Sequence, residues 1–149
     1  MPVSEICNRE IIVVQRDDTV HEAAKLMRQH HVGDVVVVEE RNGVRVPVGI
    51  VTDRDLVVEI MAPDIVQMFI TVGDVMGLNL VTIQESMGVY ESIQYMRGKG
   101  VRRLPVVDGK GGLIGILTLD DLLELLAEEL LELSRLVKHE QKIESLNRR

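Results

Sequence analysis

The chain says the same thing twice. Gly49-Ile50-Val51-Thr52-Asp53-Arg54-Asp55-Leu56 returns sixty-six positions later as Gly115-Ile116-Leu117-Thr118-Leu119-Asp120-Asp121-Leu122. A duplicated sequence limits the fold sharply, because similar stretches must form similar units. Each copy reads as a buried strand entering a helix through a Thr, with an Asp three residues on. Such a junction gathers a hydroxyl, a carboxylate and the open N–H groups of a helix start at one spot, a set that suits a ribose and a phosphate. Two copies imply two candidate pockets.

The repetition runs well beyond the octet. At an offset of sixty-nine, Val20 matches Val89, Glu22 matches Glu91, Met27-Arg28 matches Met96-Arg97, Val32 matches Val101, and Val37-Val38 matches Val106-Val107. Ser4-Glu5-Ile6-Cys7 lies over Gly73-Asp74-Val75-Met76. The offset falls by three between Val38 and Gly49, so the first copy has three extra residues around Arg41-Asn42-Gly43. The shorter turn of the second copy is Asp108-Gly109-Lys110-Gly111-Gly112. Length changes confined to a hairpin loop are of the kind a fold tolerates.

With 149 residues, 46% of them apolar, the chain can bury a core as one unit or two small halves. No stretch reads as a signal peptide or is long enough to cross a membrane, and the single Cys7 leaves no internal disulfide; a cytoplasmic protein is expected. A formal charge of −7, no Trp, and only Phe69, Tyr90 and Tyr95 as aromatics argue against a nucleic-acid surface. A bound base would lie between aliphatic side chains.

Each repeat reads as strand, helix, strand, strand, helix. Ile11 to Val14 is a short strand; Asp18 or Thr19 caps a helix with Val20, Ala23, Ala24 and Met27 on one face, ending near His30-His31. Val35 to Val38 and Val46 to Val51 flank a hairpin signalled by Asn42-Gly43. A second helix starts at Asp53 and stops before Pro63. The matching pieces are Leu80 to Ile83, Ser86 to Arg97, Leu104 to Val107, Leu113 to Leu117 and a helix from Leu119. The apolar linker Ile65 to Ile70 is expected to pack. The last helix continues to about Asn147 without Gly or Pro, and Leu123, Leu126, Leu130, Leu133 and Val137 form a three-four seam that needs a cover, either the chain's own sheets or, in the preferred reading, a second copy of the chain.

These residues together resemble the cystathionine beta-synthase (CBS) domain pair, also called a Bateman module, here as a stand-alone pair. The resemblance runs from Val3 to about Leu131 and rests on Gly49-Ile50-Val51-Thr52-x-x-Asp55, on Gly115-Ile116-Leu117-Thr118-x-x-Asp121, and on Val101-Arg102-Arg103-Leu104-Pro105-Val106-Val107-Asp108. It implies a mixed α/β (α+β) fold: tandem β-α-β-β-α repeats, residues 1–66 and 67–131, packed as a pseudo-twofold pair, with a C-terminal helical extension at 132–149.

The resemblance further implies a regulatory, non-catalytic module. Members bind adenosine nucleotides (AMP, ADP or ATP, with Mg²⁺ accompanying the phosphates) in clefts between the repeats, and some bind S-adenosylmethionine or other adenosyl ligands such as NAD. Carried over by position, Asp55 and Asp121 would accept hydrogen bonds from the ribose, and Thr52 and Thr118 would meet ribose or phosphate. The base contacts would come from Val13 with Gly33-Asp34-Val35, and from Thr82 with Arg103-Leu104-Pro105. Arg54 beside the first Thr could hold a phosphate. In the second copy Leu119 and Asp120 replace Asp53 and Arg54, so positive charge would come from Lys99, Arg102 and Arg103. The second site is therefore expected to accept more phosphate charge. A homodimer and a separate effector protein complete the expected partners, with no nucleic acid and no membrane.

Duller explanations exist for each feature. Thr52 and Thr118 could be plain helix caps in a structural dimerisation module, Arg102-Arg103 a solvated edge, and His30-His31 helix-end residues that point apart. Cys7 reads as packing. No required cofactor is expected, and enzymatic readings lack a motif: the Gly109-to-Gly112 turn is no P-loop, and Cys7 has no His partner in view.

Overall fold

Four consecutive valines, Val35 to Val38, set the first half of the fold. Successive strand side chains point to opposite faces, so such a run is buried only where both faces are covered. Val35 and Val37 pack with Val14, Ala23, Met27, Val51 and Val72, while Val36 and Val38 pack with Ile116, Ile11, Ile50 and Leu113. The computed structural model describes residues 1–148, apart from the side chain of Gln67. Two units divide it, Met1–Leu117 and the chain from Thr118 onward. Arg149, the end of the expected extension, lies outside the described residues.

In the first repeat the valines form β2 (Asp34–Arg41), central in a sheet with β1 (Val13–Val14) parallel to it and β3 (Val44–Thr52) antiparallel. Helix α1 (Val20–His30) covers one face. Thr19 caps it, its Oγ1 accepting from Glu22 N at 3.1 Å, and His31 ends it in the left-handed conformation at φ 54°. The hairpin turn places both Asn42 and Gly43 at positive φ, 52° and 77°, as a type I′ turn demands. Val37 faces Gly49 and Val38 faces Pro47, leaving Val48 as a bulge. Pro47 is tolerated because β3 is an edge strand.

Helix α2 (Asp53–Leu56) widens into a π turn over Val57–Met61 and is capped by Ala62, ahead of Pro63. The apolar linker beyond it does not pack as expected. Ile65, Val66, Met68 and Phe69 are exposed, Phe69 at 81%, and only Ile70 is half-buried. The run is tied at both ends, Ile65 N donating to Ile60 O and Ile70 O accepting from Val20 N, and its short turn passes along α1 with Met68 and Phe69 still turned to solvent. A short helix, α3 (Val72–Val75), follows and contributes Val72, Val75 and Met76 to the core of the first repeat.

The second repeat supplies β4 (Ile83–Gln84), α4 (Val89–Lys99), β5 (Arg103–Val107) and β6 (Leu113–Thr118) in sheet order β4-β5-β6, with β4 parallel to β5. Helix α4 begins three residues later than the sequence suggests, with Gly88 as its N-cap, because Met87 N closes a turn onto Gln84 O. Ser92 is fully buried, and its hydroxyl donates to Val89 O.

The two repeats exchange their leading segments. Val3 N donates to Met87 O, Ser4 N to Glu85 O, and Asn8 bonds reciprocally with Ile116, so the N-terminal residues pair with the second repeat. Residues 70–76 pair with the first, through Thr19 and Thr71 and through Gly73 N to Arg16 O. A pseudo-twofold arrangement follows from this reciprocity.

The second unit is helix α5 (Leu119–Asn147), about 44 Å long at 1.5 Å per residue. Thr118 caps it. Leu122 is buried, whereas Leu123, Leu126, Leu130, Leu133 and Val137 are exposed.

Candidate functional site

In the first repeat the end of β3, the start of α2 and the start of β2 meet at one corner. Asp34 stands opposite Thr52 in the β2–β3 ladder, and Asp53 N donates to Gly33 O at 2.9 Å. Val13 pairs with Val36, two residues along β2 from Asp34, roughly 7 Å away at strand rise. The expected residues Val13, Gly33, Asp34, Val35, Thr52, Arg54 and Asp55 are thus brought to the same end of one sheet. Val35 is fully buried, so it can offer a ligand only its backbone.

Thr52 and Asp55 form a reciprocal capping box. Asp55 Oδ2 accepts from Thr52 N at 2.9 Å, and Thr52 Oγ1 accepts from Asp55 N at 3.1 Å. One carboxylate oxygen and the hydroxyl proton remain for other use. The expectation of open N–H groups at this helix start is corrected, since Asp53 N is taken by Gly33 O, Arg54 N by Asp53 Oδ1 at 2.8 Å, and Asp55 N by the box. The physical reason is the acidic first turn, which satisfies its own donors. Any phosphate here relies on side chains, and Arg54 is exposed and able to move.

Arg103 is not a solvated edge. Its Nη1 donates to Asp34 Oδ2 at 2.6 Å, with the two side chains 35% and 21% exposed. A residue expected to serve the second repeat thus stands at the corner of the first. The corner then holds three carboxylates, Asp34, Asp53 and Asp55, and two guanidiniums, Arg54 and Arg103. Asp53 was not among the expected site residues, although its Oδ2 would sit 3.1 Å from a Cβ on Gly33. The signal for the Asp34–Arg103 pair was available in the opposite charges of two positions related by the repeat offset.

Of the second repeat's residues in the first unit, Thr82 is half-buried just before β4, Arg102 is exposed, and Leu104 and Pro105 are buried at the start of β5. Leu104 and Pro105 can therefore present only backbone carbonyls and the Leu104 N–H. Lys99 stacks its ammonium 5.7 Å from the Tyr95 ring. In the second unit, Thr118 and Asp121 repeat the capping box, Thr118 N to Asp121 Oδ2 at 3.2 Å and Asp121 N to Thr118 Oγ1 at 3.1 Å.

A separate cavity of about 680 Å³ opens beside the β2–β3 hairpin, among Val13, Asp18, Glu40, Gly43 and Arg45. It shares only Val13 with the expected site. The corner, where hydroxyl, carboxylates and guanidiniums converge, is the better candidate for recognition. Among the described residues, no group of three or more His, Cys, Asp or Glu could hold a metal ion, and no helix is long and apolar enough to cross a membrane. His30 and His31 are exposed at the helix end.

The model of the CBS domain matches residues 3–62 and 72–128. Similar proteins include an uncharacterized protein of Methanopyrus kandleri, 38% identical over 123 residues, of which the chain spans 61%. The CBS domain-containing protein YhcV of Bacillus subtilis is 35% identical over 120 residues, covering 80% of this chain and 81% of that one. Among solved structures, the CBS domain pair of protein MJ0100, in complex with 5-methylthioadenosine and S-adenosyl-L-methionine, aligns with a TM-score of 0.74 at 25% identity over 87% of this chain and 98% of that one. A hexameric CBS-CP12 protein from bloom-forming cyanobacteria aligns at 0.73 and 25% identity over 83% and 69%. Two matched repeats, each carrying its strand-to-helix capping box, establish that the chain belongs to the CBS domain family.

Proposed function

We propose that this chain is a non-catalytic regulatory module that binds adenosyl ligands through its two repeats and reports their level to a separate effector protein. One observation carries the reading: Thr52, Asp55, Gly33 and Asp34 converge at a strand-to-helix corner beside Val13, a set that fits a ribose and an adenine edge. With three carboxylates against two guanidiniums, the first repeat favours an adenosyl ligand less negative than ADP or ATP, such as AMP, 5-methylthioadenosine or S-adenosylmethionine. The likeness to protein MJ0100, whose CBS pair holds the last two, supports this choice. Thr82, Arg102, Arg103, Leu104 and Pro105 of the first unit and, separately, Thr118 and Asp121 of the second are the further ligand-binding residues of this reading. Arg102 and Lys99 suit more phosphate, as in ADP or ATP, with Mg²⁺ as the phosphates' own counterion. The module works in the cytoplasm as a homodimer, with α5 as the self-pairing element.

Thermal unfolding with AMP, ADP, ATP, S-adenosylmethionine, 5-methylthioadenosine and NAD tests the reading. A ligand at a hundredfold its Kd adds about 2.7 kcal/mol, a rise in Tm of several degrees for a chain of this size. An unmoved curve with all six would favour the second reading, a structural dimerisation module. That reading draws on the capping boxes themselves, which employ Thr52, Asp55, Thr118 and Asp121 without any ligand.

A further inference from the structure

The first hairpin is longer than the second and outruns its sheet. Strand β2 continues to Arg41, whereas β5 stops at Val107, the repeat equivalent of Val38, because the three extra residues of the first copy lengthen the arm. Strand β1 pairs only as far as Val14 with Val37. In the second repeat the matching ladder takes one more step, Glu85 N donating to Val107 O at 2.8 Å. Among the described residues the equivalent bond from Arg16 N to Val38 O is not made, since the chain turns away where Gln15 N donates to Asp18 Oδ2 at 2.7 Å. Backbone groups of a strand point alternately to its two edges. Arg41 and Val44 flank the two-residue turn and face each other, so Arg41 and Glu39 bond toward β3. Val38 and Glu40 point the other way, the direction in which Val36 N donates to Ile12 O. Val38 O and both backbone groups of Glu40 thus form an open edge.

The open edge borders the cavity of about 680 Å³, whose lining includes Val13, Asp18, Glu40 and Arg45, and a smaller one of about 250 Å³ that adds Arg16, Asp17 and Glu39. Glu39 is neutralised by Arg41 at 2.5 Å and by Arg16 at 3.9 Å. Asp17, Asp18 and Glu40 have no ion-pair partner among the described residues, and Arg45 is the one guanidinium of the two linings left to set against them. We propose that this edge docks an extended segment of another protein as an added strand beside β2, the segment carrying Lys or Arg at alternate positions. Such a strand completes the backbone bonds of Val38 and Glu40. The stem of a Lys lies over Val38 while its ammonium reaches Glu40 and Asp18. A second copy of the same edge fits worse, because antiparallel pairing centred on Glu39 or on Glu40 sets like carboxylates directly opposite. The edge lies at the far end of β2 from Asp34, so docking here does not depend on a ligand at the corner.

The test follows the backbone amides of the isotope-labelled full chain by NMR, with two capped synthetic peptides, Lys-Val-Lys-Val-Lys and Glu-Val-Glu-Val-Glu, titrated to millimolar concentration. In the free protein the Glu40 amide should exchange with solvent at least about tenfold faster than those of Glu39 and Arg41. Equal rates would mean that the edge is closed and overturn the proposal. The Lys peptide should shift the signals of Val38 to Arg41 and slow exchange at Glu40, whereas shifts confined to other elements, or none, would overturn it. The Glu peptide should bind at least about tenfold more weakly; equal affinity for the two would overturn the charge assignment and the proposal with it. Glu40→Lys leaves the backbone intact and should cost the Lys peptide about tenfold in affinity. Glu40→Pro removes only an N–H that bonds nothing in β3, as an open edge permits, and should abolish binding. Full affinity in either variant that still unfolds cooperatively near the wild-type Tm would sink the proposal.

Discussion

Asp34 and Arg103 hold the same place in the two repeats, sixty-nine residues apart, and they bind each other at 2.6 Å. A residue can touch its own repeat equivalent only on the pseudo-twofold axis. On that axis identical charges would repel, so the two copies had to diverge here. Asp34→Ala should cost about 1 kcal/mol, the upper end for a partly exposed pair. Asp34→Arg should cost more, since it sets guanidinium against guanidinium. Because the axis relates the two places, exchanging them in Asp34→Arg with Arg103→Asp should recover most of the loss. Urea unfolding of wild type, Asp34→Arg, Arg103→Asp and the double variant closes the cycle; a double variant no better than the sum of its singles would mean the pair contributes nothing.

Under the proposed function the same pair would tune ligand charge. While Asp34 holds it, Arg103 would be a weakened phosphate partner. Asp34→Asn should therefore raise affinity for ATP several-fold over wild type while leaving uncharged 5-methylthioadenosine within about twofold, a difference worth roughly 1 kcal/mol. Calorimetric titration with both ligands reads it. Equal changes for the two would show that Arg103 does not discriminate by charge.

The repeat glycines make a third test. A Cβ on Gly49 would run into Met76 Sδ, and one on Gly115 would lie 2.7 Å from Cys7 Sγ and 2.9 Å from Asn8 O. Met76 can swing aside, but Asn8 O is fixed by accepting from Ile116 N at 2.9 Å. Gly115→Ala should destabilise by about 2 to 3 kcal/mol and Gly49→Ala by about 1 to 2. Met76→Ala should rescue Gly49→Ala, whereas Cys7→Ala should not rescue Gly115→Ala. Chemical denaturation that ranks the two glycines the other way would refute the assignment.

That pair of contacts also shows how far the sequence reached. Aligning Cys7 with Met76 and Gly49 with Gly115 came from the repeat alone, yet which segment packs on which repeat did not, because local pattern carries no information about exchange between halves. The valine run, the Asn42-Gly43 turn and the Thr caps were legible since each is governed by local rules of period, φ or capping. The linker misled, because five apolar residues in six suggest burial while burial depends on a face being offered. At the site, Thr52 and Asp55 could be found from spacing. Their bonding to each other, and the use of Arg103 by Asp34, depend on three-dimensional neighbours.

The second hairpin predicts a pH effect. Asp108 Oδ1 accepts from Gly112 N and Lys110 N, each at 2.9 Å, and these N–H groups hold the carboxyl below its ordinary value of 3.8. A depressed carboxyl contributes stability that is fully present above the unfolded value and is lost as pH falls through the folded one. The stability gap between wild type and Asp108→Ala should thus be constant at neutral pH and shrink below about pH 4. Urea midpoints from pH 2 to 7 follow it. A gap that widens on acidification would contradict the sign.

The capping box at the corner can be separated from ligand binding because the molecule contains another of the same kind. At α3, Thr71 N donates to Asp74 Oδ2 at 3.0 Å, and that box lies outside the corner. Asp55→Ala and Asp74→Ala should each cost about 1 kcal/mol of stability through loss of a cap. Only Asp55→Ala should weaken binding of an adenosyl ligand, by about 1.5 to 3 kcal/mol, the worth of a hydrogen bond to a charged group. Paired denaturation and titration distinguish the two effects. If both variants bind as wild type does, Asp55 serves the helix alone; if both bind equally worse, the loss reflects general loosening and the ribose is held by other groups.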